Sequence, residues 1–229
     1  MCGRYAYYKE HPELRAQAAK EIDEHGSRLP PRPLFTQRWN IAPTQRAPVL
    51  RLDGDGTRSV DLLRWGLVPG WAKDLGIGAR AINARSEEAA GKPMFRSAWK
   101  SRRCVVPASG FYEWTTTKPK RAWYFRPADD EGLAFAGLWE SWTDKATGEV
   151  VETYTVLTRA PYDVVRPVHD RSPLILPADR WTAWLDPGTR DVGAVLDAPP
   201  PDLVAVPVGD AVGSPRNEGP SLVEPVAAG

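Results

Sequence analysis

Metal sites and disulfide frameworks are the first things this chain is too poor to build. It has two cysteines, Cys2 and Cys104, and three histidines, all widely spaced, whereas zinc ligands come in closely spaced groups. No metal and no cofactor are expected. No apolar run approaches the roughly 20 residues needed to cross a bilayer. The opening MCGRYAYYKEHPELR has no apolar core of the kind a secretory signal needs. These absences lead to the expectation of a cytoplasmic protein with reduced thiols. A glycine-rich phosphate loop and a GxSxG nucleophile elbow are both missing. Net charge is only +1, which argues against a protein that coats duplex DNA.

What the chain has in excess is tryptophan and proline, 10 and 23 of them among 229 residues. Ten tryptophans exceed ordinary packing needs, so some should present flat faces to a ligand. The prolines predict loops and edge strands rather than long helices. EHPELRAQAAKEIDEHG reads as an amphipathic helix, with Leu14, Ala18 and Ile22 on one face. RLPPRPLFTQRWNIAPTQ reads as irregular, because its prolines forbid regular pairing. APVLRL and TRSVDLLRW around DGDG read as a hairpin, and MFRSAWKSRR as a short surface helix. From Cys104 onward strand patterns dominate: CVVPA, GFYEWTTT, AWYFRP, LAFAGLWESW and VVETYTVLTRA. A loop at PVHDRSPLIL, a helix near PADRWTAWL and a last strand DLVAVPV follow. The expectation is one α+β domain over residues 1–229, mainly antiparallel with a barrel-like core and peripheral helices.

Several residue types stand where chemistry is feasible. Cys2 directly follows Met1, and trimming of the methionine would leave a thiol and a free α-amine on adjacent carbons. A small residue at this position also occurs without any chemical purpose. In GFYEWTT, apolar neighbours surround Glu113 on both strand faces. Desolvation there would raise the carboxyl pKa and suit a general acid, unless an arginine neutralises it. His169 lies in a loop between β elements, with Asp170 and Arg171 adjacent, so catalysis and a structural network are both open. Asn83 and Arg85 point the same way in an extended segment, which would suit gripping a sugar or a phosphate. Trp71 and Pro43 offer flat or wedge-shaped groups flanked by loop, or else are core and turn residues. From Arg80 to Arg121 the basic residues far outnumber Glu87, Glu88 and Glu113. That stretch is either a phosphate-binding surface or a solvated face.

MCGRY, WNIAPTQ, RWGLVPGWA, INARSE, RRCVVPASGFYEW, AGLWE, YTVLT, HDRSP and GSPRNEGPSLVEP occur in this order from Cys2 to about Pro225. Together they resemble the SRAP family, the SOS response-associated peptidase domain. The resemblance implies a sensor of abasic sites in single-stranded DNA, acting as a monomer in the cytoplasm and on the nucleoid, that couples itself covalently to the lesion. It implies Cys2 as nucleophile, assisted by Glu113 and His169. Asn83 and Arg85 would hold the lesion, with Arg4 on the adjacent phosphates and Thr158 near the pocket. Trp71 and Pro43 would sit where the DNA bends or its duplex ends. Ser172 stands where the family commonly has methionine, beneath the His169 loop, and Phe111 is a milder departure among aromatics.

The chemistry the resemblance implies is consistent with the residues. An α-amine has a pKa of about 7.7–8.0 against about 10.4 for lysine, so more of it is nucleophilic near neutral pH. It would attack the aldehyde of a ring-opened abasic sugar, and the neighbouring thiol would close a thiazolidine, an intramolecular and strongly favoured step. Two other readings remain open. Cys2, His169 and Glu113 would also fit a thiol peptidase that removes Met1 itself. Trp71 and the basic stretch would alone suffice for a non-covalent single-strand binder.

Overall fold

The computed structural model describes residues 2–11, 14, 36–199 and 201–227. Its core comes from strands whose apolar residues alternate between two hydrophobic clusters. β3 (Arg46–Leu52) and β4 (Arg58–Trp65) form the expected hairpin. β6 (Arg103–Ala108) pairs antiparallel with β3 and with β9 (Leu133–Thr143), which pairs antiparallel with β10 (Val150–Arg159). β10 then runs parallel to β4, closing the ring β4–β3–β6–β9–β10 into a barrel. On one parity Val49, Leu63, Trp65, Val106, Phe135 and Tyr154 fill one cluster. On the other, Leu50, Val60, Val105, Ala136, Leu138 and Leu157 pack outside against Trp181 and Trp184. This two-sided burial explains why β6 is buried along its whole length.

A second sheet closes over the barrel interior. Its order is β11 (Leu203–Val208), β8 (Ala122–Pro127), β7 (Gly110–Trp114), β1 (Tyr5–Tyr7) and β2 (Arg38–Ile41). One face sends Tyr5, Phe111 and Phe125 into the cluster that holds the barrel's Trp65, Phe135 and Tyr154. The Tyr5 ring meets Trp65 edge-on at 5.2 Å between centroids, and its hydroxyl bonds that of Tyr154 at 2.7 Å. The opposite face, with Ala6, Tyr112 and Tyr124, is covered by Val212 and Leu222 from the C-terminal segment. Short β5 (Asn83–Arg85) lies parallel to β10. The helices are peripheral: α1 (Ser86–Ala89), α2 (Arg96–Ser101), α3 (Trp181–Leu185) and α4 (Val192–Leu196).

The proline-rich stretch is not irregular throughout, because its Arg38–Ile41 form β2, where Tyr5 faces Ile41 in the ladder; Pro30, Pro31 and Pro33 precede the paired residues in sequence and Pro43 follows them. The amphipathic helix expected in EHPELRAQAAKEIDEHG lies largely outside the described residues. The basic stretch divides. Arg103 is buried, bonding the Trp184 carbonyl at 2.6 Å with its guanidinium over the Trp184 ring, and Arg102 pairs with Glu140 at 2.6 Å. Arg96, Lys100, Lys118 and Lys120 are exposed.

Gly66 sets the path of the loop that carries Trp71. Its φ is +116°, and a Cβ there would lie 2.6 Å from the Gly78 carbonyl oxygen. Gly56, at φ +85°, has nothing within 4 Å. Gly66→Ala should therefore lower the unfolding free energy by about 2–4 kcal/mol, strain and overpacking together, and Gly56→Ala by only about 1–2 kcal/mol. Urea titration of both variants checks the difference; equal losses would mean that the Gly66–Gly78 contact carries no cost.

Candidate active site

Cys2 leads into β1, and β1 is held against β7 with Tyr5 opposite Phe111 and Ala6 opposite Gly110. The ladder extends toward the N-terminus through a bond from the Tyr112 N–H to the Arg4 carbonyl, 3.0 Å. Antiparallel pairing thus brings the residues before Tyr5 alongside Glu113. Cys2 is fully buried, and its carbonyl accepts a 2.7 Å bond from Asn83 Nδ2 on β5. The other end of the same carboxamide, Asn83 Oδ1, is buried without a hydrogen-bond partner. β5 is registered on β10 with Asn83 opposite Val156 and Arg85 opposite Thr158, so barrel strand β10 fixes where Asn83 stands.

Glu113 is 3% exposed, and burial pushes its carboxyl up to about 7 from the ordinary 4.5. His169 Nε2 lies 3.9 Å from Glu113 Oε2. The Arg171 N–H donates to His169 Nδ1 at 3.0 Å, and Asp170 Oδ1 lies 3.2 Å from the same nitrogen, while Nε2 is the ring nitrogen that faces Glu113. Burial pushes the imidazole below its usual range. The Cys2 thiol is raised well above its usual range, first by burial and then by the Glu113 charge. A buried thiol, a carboxyl that titrates near neutrality, a neutral imidazole and an unsatisfied amide oxygen therefore belong to one cluster. Such a set can pass protons one at a time at pH 7.

The remaining sequence candidates fall into two groups. Thr158 is buried at the edge of the cluster, where its carbonyl accepts from Arg171 Nη2 at 2.7 Å. Arg171 also grips Glu87 at the start of α1 with both terminal nitrogens, at 3.0 and 2.9 Å. This arginine ties the His169 loop to β10 and α1; its place in HDRSP, two residues from the histidine, was its only sequence signal. Ser172 is fully buried and accepts from the Tyr162 N–H at 3.1 Å, so a polar bond stands where a methionine would pack. Arg85 is exposed and bonds Glu88 at 3.2 Å. Arg4 is drawn elsewhere: its Nη1 donates to Asn40 Oδ1 and to the Val212 carbonyl, each at 2.8 Å, pinning the N-terminal strand to the C-terminal segment. Trp71 is 60% exposed on the loop after β4, and Pro43 lies half-buried in the turn between β2 and β3. No hydrogen bond or ring contact among the described residues joins Trp71 or Pro43 to the Cys2 cluster. His169, Glu113 and Cys2 belong to no metal-binding group among the described residues, and no helix among those residues is long and apolar enough to cross a membrane.

A barrel capped by a second sheet is a fold shared with a solved structure. A protein from Bacteroides thetaiotaomicron superposes with a TM-score of 0.80 at 22% identity, covering 99% of this chain and 100% of that one. The SOS response associated peptidase (SRAP) family matches residues 1–215, and the chain belongs to that family. The abasic site processing protein YoqW of Bacillus subtilis is 36% identical, over 98% of this chain and 99% of its own length. The abasic site processing protein HMCES of Gallus gallus is 30% identical, over 100% of this chain and 79% of its own.

Because the folded-state pKa of Glu113 is raised, its burial costs nothing while the group is protonated in both states. The cost grows as pH rises from about 4.5 to about 7, the ordinary and folded values, and is constant above. Glu113→Gln should thus melt progressively higher relative to the parent protein as pH increases through that window. Thermal melts at pH 5, 6, 7 and 8 check this; a constant difference would show that the carboxyl titrates alike folded and unfolded.

Proposed function

We propose that this chain processes abasic sites in single-stranded DNA by attaching itself to the lesion through Cys2. The observation that carries the reading is the arrest of the Cys2 backbone by Asn83 beside a carboxyl that titrates at about 7. With Met1 removed, Cys2 has an α-amine and a thiol on adjacent carbons. His169 moves the proton that opens the sugar to its aldehyde. The amine adds to the aldehyde carbon, and Glu113, as the acid, protonates the hydroxyl that leaves as water when the imine forms. The thiol then adds to the imine carbon and its proton ends on the former imine nitrogen, closing the thiazolidine. The net change is the loss of one water. The raised thiol favours this order: Cys2 stays protonated until the imine is next to it, and Glu113, by then ionised, can accept its proton.

The unsatisfied Asn83 Oδ1 suits a hydroxyl donor of the opened sugar. Arg85, Trp71 and Pro43 serve the strand on either side of the lesion, including a single-strand to duplex junction. Arg4 acts on the phosphates through whatever part of its guanidinium is not engaged by Asn40. A thiol peptidase needs a lowered thiol pKa, whereas burial raises that of Cys2, so the covalent DNA reading is preferred.

The decisive measurement is the intact mass of the protein before and after incubation with a single-stranded oligonucleotide carrying one abasic site. The expected result is a starting mass without Met1 and a salt-resistant adduct heavier by the DNA minus water. Cys2→Ala should give no adduct, and Glu113→Gln should form it roughly 100-fold more slowly. Retention of Met1 in active protein, or full adduct formation by Cys2→Ala, would overturn the proposal.

A further inference from the structure

Outside the Cys2 cluster, two arginines stand directly opposite each other. Arg46 on β3 and Arg64 on β4 are partners in the antiparallel register, which puts their Cβ atoms about 5 Å apart on the outer face of the barrel. Like charges placed this way repel and weaken the strand pair. Among the described residues, no carboxylate pairs with either arginine. Arg46 Nη1 donates only to a neutral acceptor, the Leu62 carbonyl at 3.2 Å, and Arg64 Nη1 is buried with no acceptor. Across the sheet from Arg64 comes Thr153 and then Glu140. That carboxylate is two strands away, about 10 Å at the usual spacing, and already holds Arg102 at 2.6 Å. Burial, and next the charge of Arg46, lower the Arg64 pKa.

The pair sits under the turn that carries Pro43, where the Thr44 N–H bonds the Trp65 carbonyl at 2.9 Å. Leu62, 40% exposed, flanks it, and Trp71, 60% exposed, stands on the loop that follows the same strand. Two forked cations with unused donors match the oxygens of a phosphodiester. We infer that Arg46 and Arg64 form a clamp for a backbone phosphate of the bound DNA strand, outside the lesion pocket. An oxygen anion between the guanidinium groups turns their repulsion into attraction, and rotation of the Arg64 terminal torsions offers it the unused N–H. The inference rests on the DNA reading above and adds a second contact point to it.

The test is equilibrium binding of the full chain to an undamaged, fluorescein-labelled single-stranded oligonucleotide, which cannot crosslink, between roughly 50 and 200 mM salt. Arg46→Gln is expected to weaken binding severalfold at the lowest salt. The slope of log affinity against log salt should fall in magnitude by about 0.7, the value for one phosphate on a single strand. The same variant should melt at or above the parent temperature, since a repulsion is removed; a residue with a merely structural role would not combine that with weaker DNA binding. Arg190→Gln, at an exposed arginine elsewhere, should leave the slope unchanged. An unchanged slope in a folded Arg46→Gln, or an equal change in Arg190→Gln, overturns the clamp alone. If the parent protein binds neither undamaged nor abasic DNA, the DNA reading fails and the clamp with it.

Discussion

Everything at the site depends on the seating of β1. A segment of three residues has little stability of its own, yet it must hold the segment that carries Cys2. It does so by pairing on both sides, with β2 and with β7, and by driving Tyr5 into the barrel interior. There the Tyr5 hydroxyl satisfies that of Tyr154 at 2.7 Å, in a place where either group alone would be a costly orphan. The Arg4 bonds to Asn40 and Val212 close the arrangement from the outside. In the proposed reaction a cysteine so constrained would lose little further freedom, which is where the advantage of an intramolecular ring closure would come from.

The barrel provides the other half of the pocket. Parallel pairing of β5 with β10 delivers Asn83, and the chain leaving β10 returns through Tyr162 and Ser172 to place His169 opposite Glu113. Arg171 then locks that return to Thr158 and Glu87. Four segments far apart in sequence thus converge on a volume from which water is largely excluded. Exclusion of water is also what perturbs the titration of all three groups: the thiol and carboxyl rise and the imidazole falls, each toward its neutral form. Neutral groups that exchange protons readily fit a reaction in which an alcohol, an amine and a thiol must each gain or lose one.

Much of this was legible in the residues. The β pattern from Cys104 onward and the hairpin around DGDG are readable because alternation at period two survives in half-buried strands. The apolar flanks of Glu113 announced a raised carboxyl pKa, since desolvation is a local property of the strand that carries the group. The ordered motifs led to the family. What alternation cannot tell is which strand lies next to which, so neither the parallel β4–β10 closure nor the paired end of the proline-rich segment was readable.

The candidate residue types, their order along the chain and the alternating burial of the strand faces are readable from the residues, because these follow from side-chain chemistry and short-range periodicity. Folding alone turns Arg4 toward Asn40, has Arg171 tie the His169 loop to Thr158 and Glu87, and sets Arg46 opposite Arg64 uncompensated. Those outcomes hinge on strand register and on contacts between distant segments, and a one-residue shift in register would have sent each of these side chains to the opposite face.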